Sequence, residues 1–372
     1  MMRASYRVSP ARRKVFTGGF YWRPSRRPDA LSERRGWRKL GSTLQFGCGI
    51  LHRACPRGHT RGERTQTMNY CFAKSIYRRL PRFIRRRLYD PRQFGLRRRL
   101  KKRLLDYYRD TQDPEILAAL AFIRKYKLTT FNYEFIFDYE DREVEVHRDD
   151  ACGMLYVVED GKRLYFKRTV TDPEQAADLY NAMCKEQDPR SPHRYTRPGH
   201  DVGGGTVLDL GAAEGLFSLR IVDRVSALIL FECEPGWIEA LQQTFKPYAD
   251  KVRIVPKYVS DRDSEREVCL DTFVRTVPGN ISFVKMDIEG AEIPTLRGAR
   301  DMMRRHPDCK WSICVYHHPG DEQQVREELK GFRVEASPGY MLFYFDRNLQ
   351  APFFRRGVLY ASAASPSAPC VN

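Results

Sequence analysis

Hydrophobic positions repeat with two different periods along the chain, and their alternation predicts its architecture. Apolar residues recur at helical spacing over 236–246, 291–305 and 321–330, and short continuous apolar runs lie between these segments. Strand-like runs that alternate with helical segments are typical of an open, mostly parallel sheet with helices on both faces. The pattern therefore predicts a doubly wound α/β domain, which we place at 191–350.

The apolar runs give the expected strands of this sheet. They are rich in β-branched and aromatic residues, as buried parallel strands are. We expect strands at Thr206–Leu210, Ala227–Phe231, Val252–Val255, 281–287 and 311–316, and a closing pair at 332–334 and 340–345.

A smaller region with a mixed pattern, 111–190, precedes the sheet. Asp160 and Gly161 separate two apolar runs there, which is typical of a β-hairpin because Gly tolerates a positive φ. The predicted elements in order are a helix at 114–127, strand-like material over 132–147, a hairpin formed by 154–158 and 163–166, and a helix at 173–186. This order indicates a small α+β cap.

Charge is distributed unevenly along the chain, which carries a formal net charge of +18. Residues 1–67 carry +13 and residues 68–110 carry +12, so residues 111–372 carry −7. The predicted main domain is therefore mildly acidic, and the basic part has no recognisable module that reads nucleic acid. We expect no specific nucleic-acid partner.

Both ends of the chain lack hydrophobic periodicity. Residues 1–67 are rich in Arg, Gly, Ser and Pro, which predicts disorder. We interpret them either as translated upstream sequence ahead of a start at Met68 or as a disordered tail. The Ala-, Ser- and Pro-rich end within 351–372 is also expected to be loose.

Short, basic, amphipathic helices are predicted over 74–109. Their apolar positions, which stand among arginines, are Ile76, Leu80, Phe83, Ile84, Leu88, Leu96, Leu100, Leu104 and Tyr107. Two interpretations stay open. The basic face binds an anionic membrane surface or an acidic glycan, or the apolar stripe packs on the body and the charges are solvated.

The cysteines and the absence of long apolar runs bear on the compartment. The ten cysteines include no CxxC pair, which indicates free thiols in a reducing environment. No apolar run approaches the roughly 20 residues of a membrane span, and none follows the first arginines as in a signal peptide. We expect a cytoplasmic protein, peripheral to a membrane if 74–109 binds one.

The stretch TVLDLGAAEG carries the first candidate chemistry. It predicts a strand, a tight turn and a helix, with Asp209 at the strand end and Gly211 and Gly215 bracketing the turn. Such a turn offers backbone N–H groups to a nucleotide-like cofactor. The dinucleotide pattern GxGxxG is absent, because Ala213 and Leu216 stand where it needs Gly. An ordinary strand-to-helix turn is the competing interpretation.

Two acidic residues follow the next predicted strand. Glu232 comes directly after Phe231, about 20 residues after the glycine turn, and Glu234 precedes Pro235. A carboxylate at this place can accept hydrogen bonds from both ribose hydroxyls. Glu232 is the first choice and Glu234 the second, although one of them can instead cap the helix that starts near Pro235.

Two loops are expected to face the same cleft. Ser260 and Asp261 follow the third strand, where they either contact an adenine amino group or form a local turn. His193, Arg194 and Tyr195 arrive on a proline-broken loop, and they either hold a cofactor carboxylate or substrate or have local partners.

The run FVKMDIEGAE is the most specific signal in the chain. Asp287, Glu289 and Glu292 cluster at the end of the fourth strand, where acids can act as a base or orient a nucleophile. Glu292 can instead complement a helix dipole. His317 and His318 leave the fifth strand on the same side as a candidate base and ligand, with a structural role as the alternative for His318.

In this order and spacing, VLDLGAAEG, FECEP, LDTF, FVKMDIEGAE and VYHHP resemble the FkbM-type family of S-adenosylmethionine-dependent methyltransferases, over about 190–345. The element KMDIEGAE is specific to that family, and the glycine turn is shared by class I methyltransferases. The resemblance implies a seven-stranded, Rossmann-like class I sheet. It also implies O-methylation of a sugar, glycan, glycolipid or natural product. Cys233 and Glu234 depart from the family pattern, in which proline follows the first acid.

The resemblance implies roles for the candidate residues, with S-adenosylmethionine as the cofactor. The implied catalytic residues are Asp287, Glu289 and His317. The residues implied to hold the cofactor are Asp209, Gly211, Ala212, Glu214, Gly215, Glu232, Ser260 and Asp261. The residues implied to bind substrate are His193, Arg194, Tyr195 and His318. No ligand spacing demands a metal.

Two other classes of function remain. The missing third glycine disfavours a nicotinamide enzyme. A nucleic-acid- or membrane-associated binding protein that keeps a methyltransferase-like fold without activity is the other alternative.

Overall fold

The computed structural model describes residues 5–7, 94–140, 142–346 and 349–364. The helices are α1 (Phe94–Tyr107), α2 (Pro114–Lys125), α3 (Phe137–Glu140), α4 (Pro173–Glu186), α5 (Leu216–Ile221), α6 (Pro235–Phe245), α7 (Leu270–Phe273), α8 (Glu292–Arg297), α9 (Arg300–Arg305) and α10 (Asp321–Glu328). The strands are β1 (Ser5–Arg7), β2 (Glu145–Arg148), β3 (Leu155–Glu159), β4 (Lys162–Tyr165), β5 (Thr206–Leu210), β6 (Ala227–Phe231), β7 (Val252–Val255), β8 (Tyr258–Ser260), β9 (Glu267–Cys269), β10 (Ile281–Met286), β11 (Lys310–Cys314), β12 (Phe332–Ala336), β13 (Met341–Leu342), β14 (Phe354–Arg355) and β15 (Val358–Ala363).

Seven strands form the central sheet, in the order β12-β15-β11-β10-β5-β6-β7. The neighbouring strands β11, β10, β5, β6 and β7 pair in parallel. β15 lies between β11 and β12 and runs antiparallel to both. The chain leaves β5 toward β6 on one side and later returns to β10 on the other side. This topology confirms the predicted doubly wound, seven-stranded class I methyltransferase sheet, and it opens a crevice at the carboxyl ends of the central strands.

Alternate residues of the strands enter two hydrophobic cores, one on each face of the sheet. In β5, Val207 belongs to the first core and Leu208 to the second. In β6, Leu230 belongs to the first core and Phe231 to the second. Helices α4, α5 and α6 cover the first face, and α8, α9 and α10 cover the second. Because both faces are covered, the central strands place apolar residues in both cores, as predicted, and Asp209 and Lys285 are the buried charged residues among them.

Three helices begin at an acidic residue that is followed by proline. Asp113, Asp172 and Glu234 cap α2, α4 and α6, because each carboxylate accepts a hydrogen bond from a backbone N–H of the first turn. Proline at the first helical position has no N–H that needs a partner. The helix starts predicted beside these prolines are confirmed.

A four-stranded antiparallel sheet, β1-β2-β3-β4, lies ahead of the central sheet. The hairpin of β3 and β4 turns at Asp160 and Gly161, which have φ angles of 46° and 79°, so the predicted hairpin is confirmed. β1 pairs with β2. The remaining residues of 1–67, for which disorder is predicted, lie outside the described residues.

Strand-like structure is predicted over 132–147, but the structure has a 3-10 turn and a short helix there before β2 begins. A 3-10 turn, Glu134–Ile136, leads directly into α3. The Asn132 side chain fixes the backbone just ahead of this turn. Its amide oxygen accepts from the Thr129 N–H at 3.1 Å, and its NH₂ group donates to the Thr129 carbonyl at 2.8 Å. The alternating aromatic residues of this segment fit a helical turn because a third hydrophobic core surrounds it, formed with α1 and α2.

The predicted helix over 291–305 is instead the two helices α8 and α9. They meet at Gly298, whose backbone lies so close to the Ser260 carbonyl oxygen that a side chain would clash there. The close approach of β8 therefore interrupts a segment whose apolar positions alone predict one helix.

The strand that closes the sheet also differs from the prediction. β12 pairs with β15, whereas the segment expected to pair with it contributes only β13, which pairs with β14. Leu359 and Ala361 of β15 are buried in the second core. The main domain therefore extends beyond residue 350, and the prediction of a loose tail is wrong for 351–364. Residues 365–372 lie outside the described part.

Helix α1 is the described part of the predicted basic segment 74–109. Leu100 and Leu104 are buried in the third core, but Leu96 and Tyr107 are 69% and 53% exposed. The apolar stripe thus packs on the body, as one of the two interpretations held, and the basic residues Arg98, Arg99 and Lys102 face solvent. None of the helices within the described ranges has the length and apolar character that crossing a bilayer requires.

We expect Gly211→Ala to destabilise the fold by about 2–4 kcal/mol, because φ is +76° at Gly211 and a Cβ there would collide with the Asp287 carbonyl oxygen. Gly279→Ala is the matched control. Its φ is +81°, but a Cβ there meets nothing within 4 Å, so it should cost only about 1–2 kcal/mol of backbone strain. Urea denaturation measures both, and equal losses would show that Gly211 is not under steric constraint.

Candidate active site

The carboxyl ends of β5, β6, β10 and β11 meet at one edge of the sheet and place the predicted chemical groups in one cleft. The N–H groups of Gly211 and Ala212 both donate to the Phe231 carbonyl, at 3.0 Å each. The Asp287 N–H donates to the Leu210 carbonyl at 3.1 Å. The glycine turn is therefore bonded to the strand on each side of it.

Asp209 lies beneath the glycine turn rather than on the surface of the cleft. It is 1% exposed, and its carboxylate forms an ion pair with Lys285 at 3.0 Å and accepts from the Ser218 hydroxyl at 2.6 Å. Lys285 also donates to the Gly211 carbonyl. Burial alone would lower the pKa of Lys285, but Asp209 and Asp287 raise it, so the ammonium stays charged.

Glu232 joins the glycine turn to the loop that follows β6. One carboxylate oxygen accepts from the Ala213 N–H at 2.9 Å, and the other accepts from the N–H groups of Cys233 and Glu234 at 2.8 Å each. Burial raises the pKa of Glu232, although these three N–H groups oppose the shift. A carboxylate has about four acceptor positions, so one remains for a ligand.

Glu234 has a structural role. It caps α6 by accepting from the Gly236 N–H at 3.2 Å, and it forms an ion pair with Lys167 at 2.5 Å. This is the capping role that the sequence left open for one of the two acids. Glu232 is therefore the better-placed carboxylate for a ribose.

Two further carboxyl groups lie on the side of α4. Glu214 belongs to the glycine turn and Glu186 is the last residue of α4. Burial raises the pKa of Glu214 to about 7, and the neighbouring Glu186 adds to the shift. Burial also raises the pKa of Glu186, opposed by His193 and Lys185. The sequence indicated Glu214 but not Glu186, because nothing local marks the end of α4 as part of a cleft.

Asp287 is the centre of a hydrogen-bond network after β10. Its carboxylate accepts from the Tyr195 hydroxyl at 2.7 Å and from the Tyr316 hydroxyl at 2.9 Å. His193 and His317 approach it at 3.5 Å and 3.2 Å. Burial alone would raise the pKa of Asp287, but the two histidines hold it well below its ordinary value. Asp287 therefore stays ionised and is a poor proton acceptor.

His317 lies between two carboxylates. Its Nε2 is 3.2 Å from Asp287 and its Nδ1 is 3.1 Å from Glu292, which also accepts from the Ile288 N–H at 3.1 Å. Burial alone would lower the pKa of His317, but Glu292 and Asp287 raise it well above its ordinary value. His317 is therefore an imidazolium, and Glu292 holds it in place besides standing at the start of α8.

Glu289 stands at the mouth of the cleft. Its side chain is 60% exposed, its φ is +61°, and its carboxylate lies 3.9 Å from Nε2 of His317. Desolvation raises the pKa of Glu289 to about 7, with Asp287 and Glu292 adding to the shift and His317 opposing it. Among the predicted catalytic residues, Glu289 has the pKa that suits a general base at neutral pH.

The lead-in loop divides its three candidate residues between two places. His193 and Tyr195 reach Asp287, and Nε2 of His193 is also 3.0 Å from the Tyr316 hydroxyl. Arg194 lines a separate cavity behind the loop. The expectation that all three meet in one site is therefore wrong for Arg194, because the loop turns there, with the Arg194 N–H donating to the Ser191 carbonyl at 3.3 Å.

The remaining predicted residues lie at the edges of the cleft. The His318 ring packs over Gly290, and its backbone N–H donates to Asp321 at 2.6 Å, which fits the structural role. Ser260 and Asp261 end β8, where the Ser260 hydroxyl donates to Asp261 at 3.3 Å. In the described part of the chain their nearest packing is against Gly298. Adenine contact stays a prediction.

Two groups of side chains place possible metal-ligand atoms within 4.8 Å of one another. They are His193 with Asp287 and Cys314, and Asp287 with Glu292 and His317. The protonated His317 already balances the charge of the carboxylates beside it, and Asp287 already accepts two tyrosine hydroxyls. These donors are therefore engaged with one another.

Comparison with known proteins relates part of the chain to a known family. Residues 238–348 match the family model described as the methyltransferase FkbM domain. This part of the chain is therefore similar to the methyltransferase domain of that family. The matched range includes β10, the acids that follow it, His317 and His318, whereas the glycine turn and the lead-in loop precede it.

Several solved structures are similar to parts of this chain. The FkbM methyltransferase from Methylobacillus flagellatus is 20% identical, with 50% of this chain and 54% of that chain covered and a TM-score of 0.36. The precorrin-6y C5,15-methyltransferase from Geobacter metallireducens is 12% identical, with 45% and 84% covered and a TM-score of 0.32. An rRNA methylase from Streptococcus thermophilus is 12% identical, with 44% and 90% covered and a TM-score of 0.30. A search of the curated proteins gives no match.

We expect Lys285→Met to lower the free energy of unfolding by about 3–5 kcal/mol, because it leaves the Asp209 carboxylate buried without its cation. The double variant Asp209→Leu/Lys285→Met should recover much of that loss, since no buried charge then remains. Urea denaturation of both variants tests the pair. A double variant no more stable than Lys285→Met would contradict the assignment.

Proposed function

We propose that this domain is an S-adenosylmethionine-dependent O-methyltransferase that acts on a hydroxyl of a sugar, glycan, glycolipid or natural product. The observation that carries the proposal is the place of the Glu289 carboxyl at the mouth of the cleft, 3.9 Å from Nε2 of His317, where its pKa is raised to about 7. A hydroxyl must lose its proton when its oxygen is methylated, and a base with a pKa near neutrality suits that step.

The residues of the cleft fit a cationic cofactor. S-adenosylmethionine supplies a methyl group on a positively charged sulfonium. Glu186 and Glu214 form no ion pair with any described residue, and both have raised pKa values, so a cation beside them would be favoured. Glu232 retains an acceptor position for ribose hydroxyls beside the glycine turn. Gly211, Ala212 and Gly215 shape that turn.

The residues after β10 and β11 have different roles in proton transfer. Asp287 remains ionised and fixes the Tyr195 and Tyr316 hydroxyls and the His317 ring. His317 remains protonated and orients Glu289. Glu289 is placed to accept the hydroxyl proton, and S-adenosylmethionine held by the glycine turn and Glu232 would supply the methyl group to the acceptor oxygen. Because Glu289 is 60% exposed, the proton can then pass to solvent.

We expect Glu289→Gln to lower kcat by about 10²–10⁴ and to leave S-adenosylhomocysteine affinity unchanged within about twofold. In the unaltered enzyme, kcat/KM should fall as the pH drops below about 7, because protonated Glu289 cannot accept a proton. Release of S-adenosylhomocysteine in the presence of a panel of glycosides and glycolipids measures both.

Glu265→Gln is the control for this experiment, since Glu265 is exposed on a distant loop. It should keep the rate and the pH profile. A Glu289→Gln variant that keeps the same acid limb would refute Glu289 as the base.

S-adenosylhomocysteine should raise the thermal midpoint of the whole chain, because a ligand that binds only the native state stabilises it by about 2.7 kcal/mol at 100 times its Kd. We expect Glu232→Gln to lose most of this increase and Glu234→Gln to keep it, although both variants can melt earlier without ligand. Differential scanning fluorimetry gives the ligand-induced difference for each. No increase at millimolar ligand in the unaltered chain would overturn the proposal.

Helix α1 supports a second candidate, a membrane-associated protein that keeps the fold without activity. Arg98, Arg99 and Lys102 are exposed on one helix, and Leu96 is 69% exposed beside them. Such a surface is attracted to anionic lipid headgroups. Binding to phosphatidylserine vesicles together with no turnover on any acceptor would favour this candidate, whereas turnover would leave α1 as a membrane contact of an enzyme.

A further inference from the structure

A second cavity of about 410 Å³ lies behind the lead-in loop. Its walls come from the loop itself, from the start of α2, from the end of β12 with the residues after it, and from the residues around the start of β15. Three arginines line it, Arg194, Arg197 and Arg356, together with Thr196 and with Glu115, which pairs with Arg356. The methyl-transfer mechanism uses none of these side chains.

The charges of this cavity are incompletely balanced. Arg197 pairs with Glu335, and Arg356 pairs with Glu115. Arg194 forms no ion pair with any acid in the described ranges. The Nε of Arg197 is buried, and it has no hydrogen-bond partner within the described structure. The cavity therefore holds one guanidinium and one additional N–H whose donor capacity is unused.

The cavity wall is fixed by side chains that bond to the loop backbone. Ser337 donates to the Pro192 carbonyl at 2.6 Å, and Tyr360 donates to the Arg194 carbonyl at 2.7 Å. On the other side of the loop, Ser312 donates to the Tyr195 carbonyl at 2.6 Å. The donors of the cavity are thus held by the same backbone that places His193 and Tyr195 beside Asp287.

We propose that this cavity is a binding site for a small oxyanion, a carboxylate or a phosphate monoester, held by Arg194, Thr196 and Arg197. A guanidinium group presents parallel N–H donors that match the oxygens of such a group. The ion pairs with Glu335 and Glu115 engage part of the Arg197 and Arg356 guanidinium groups in the walls. An anion bound here would neutralise Arg194 and stabilise the loop in the conformation that serves the active site.

Isothermal titration calorimetry of the whole chain tests the site, with inorganic phosphate and acetate as probes and chloride holding the ionic strength constant. We expect saturable binding of at least one probe, and at least tenfold weaker binding by Arg194→Gln. Arg98→Gln is the matched control, because it removes the same charge from the exposed surface of α1, and it should bind within twofold of the unaltered chain. Preference for phosphate or for acetate identifies the anion class.

The alternative is that a chain of net charge +18 attracts anions without a site. Absence of saturation, or equal weakening by Arg194→Gln and Arg98→Gln, would establish that alternative and overturn the proposal. Competition between phosphate and S-adenosylhomocysteine would also overturn it, since the anion would then lie in the main cleft. If Arg194→Gln fails to fold, Thr196→Val tests the same site, and unchanged affinity in that variant would count against it.

Discussion

The buried ion pair between Asp209 and Lys285 is the interaction on which the cleft depends. It joins the strand that leads into the glycine turn to the neighbouring strand that ends at Asp287, and Lys285 also bonds the turn backbone through the Gly211 carbonyl. Removing two charges from water is costly unless each satisfies the other. The pair therefore allows few alternative arrangements of the turn relative to Asp287, so the cofactor side and the acceptor side of the cleft are held in one geometry.

Charged groups line the side of this cleft that follows β10 and β11. The carboxyl groups of Glu292 and Asp287 raise the pKa of His317 between them, and His317 lowers the pKa of Asp287. Glu289 stands at the exposed end of this row, where desolvation, Asp287 and Glu292 raise its pKa and His317 lowers it. The buried groups of the row thus perturb the pKa of an accessible neighbour.

The sequence predicted the central strands and the residues at their carboxyl ends, because buried parallel strands are continuous apolar runs and the ligand crevice follows from their topology. It did not reveal which acid would stay ionised, since the pKa of Asp287 depends on His193 and His317, which come from distant segments. It also did not reveal Glu186, which α4 brings in from outside the sheet. Lys285 did leave a signal, because a lone charge inside the apolar strand FVKM requires a buried partner.

Predictions from the local sequence pattern were wrong where tertiary contacts determine the secondary structure. The segment predicted as one helix over 291–305 forms α8 and α9, because β8 approaches Gly298. The small residues of β15, such as Ala361, resemble those of the Ala- and Ser-rich segment that follows, although β15 is a buried strand. The aromatic run before β2 has strand-like spacing, but the third core accepts it as helical turns.

The position of β15 has a consequence for synthesis of the protein. This strand lies between β11 and β12, yet it follows both in the chain, so its place in the sheet can be filled only after both neighbours have been synthesised. Tyr360 of this strand donates to the Arg194 carbonyl, and Ser337, whose hydroxyl accepts from the Val358 N–H, donates to the Pro192 carbonyl. The loop that carries His193 and Tyr195 therefore gains these anchors only after synthesis has passed β15.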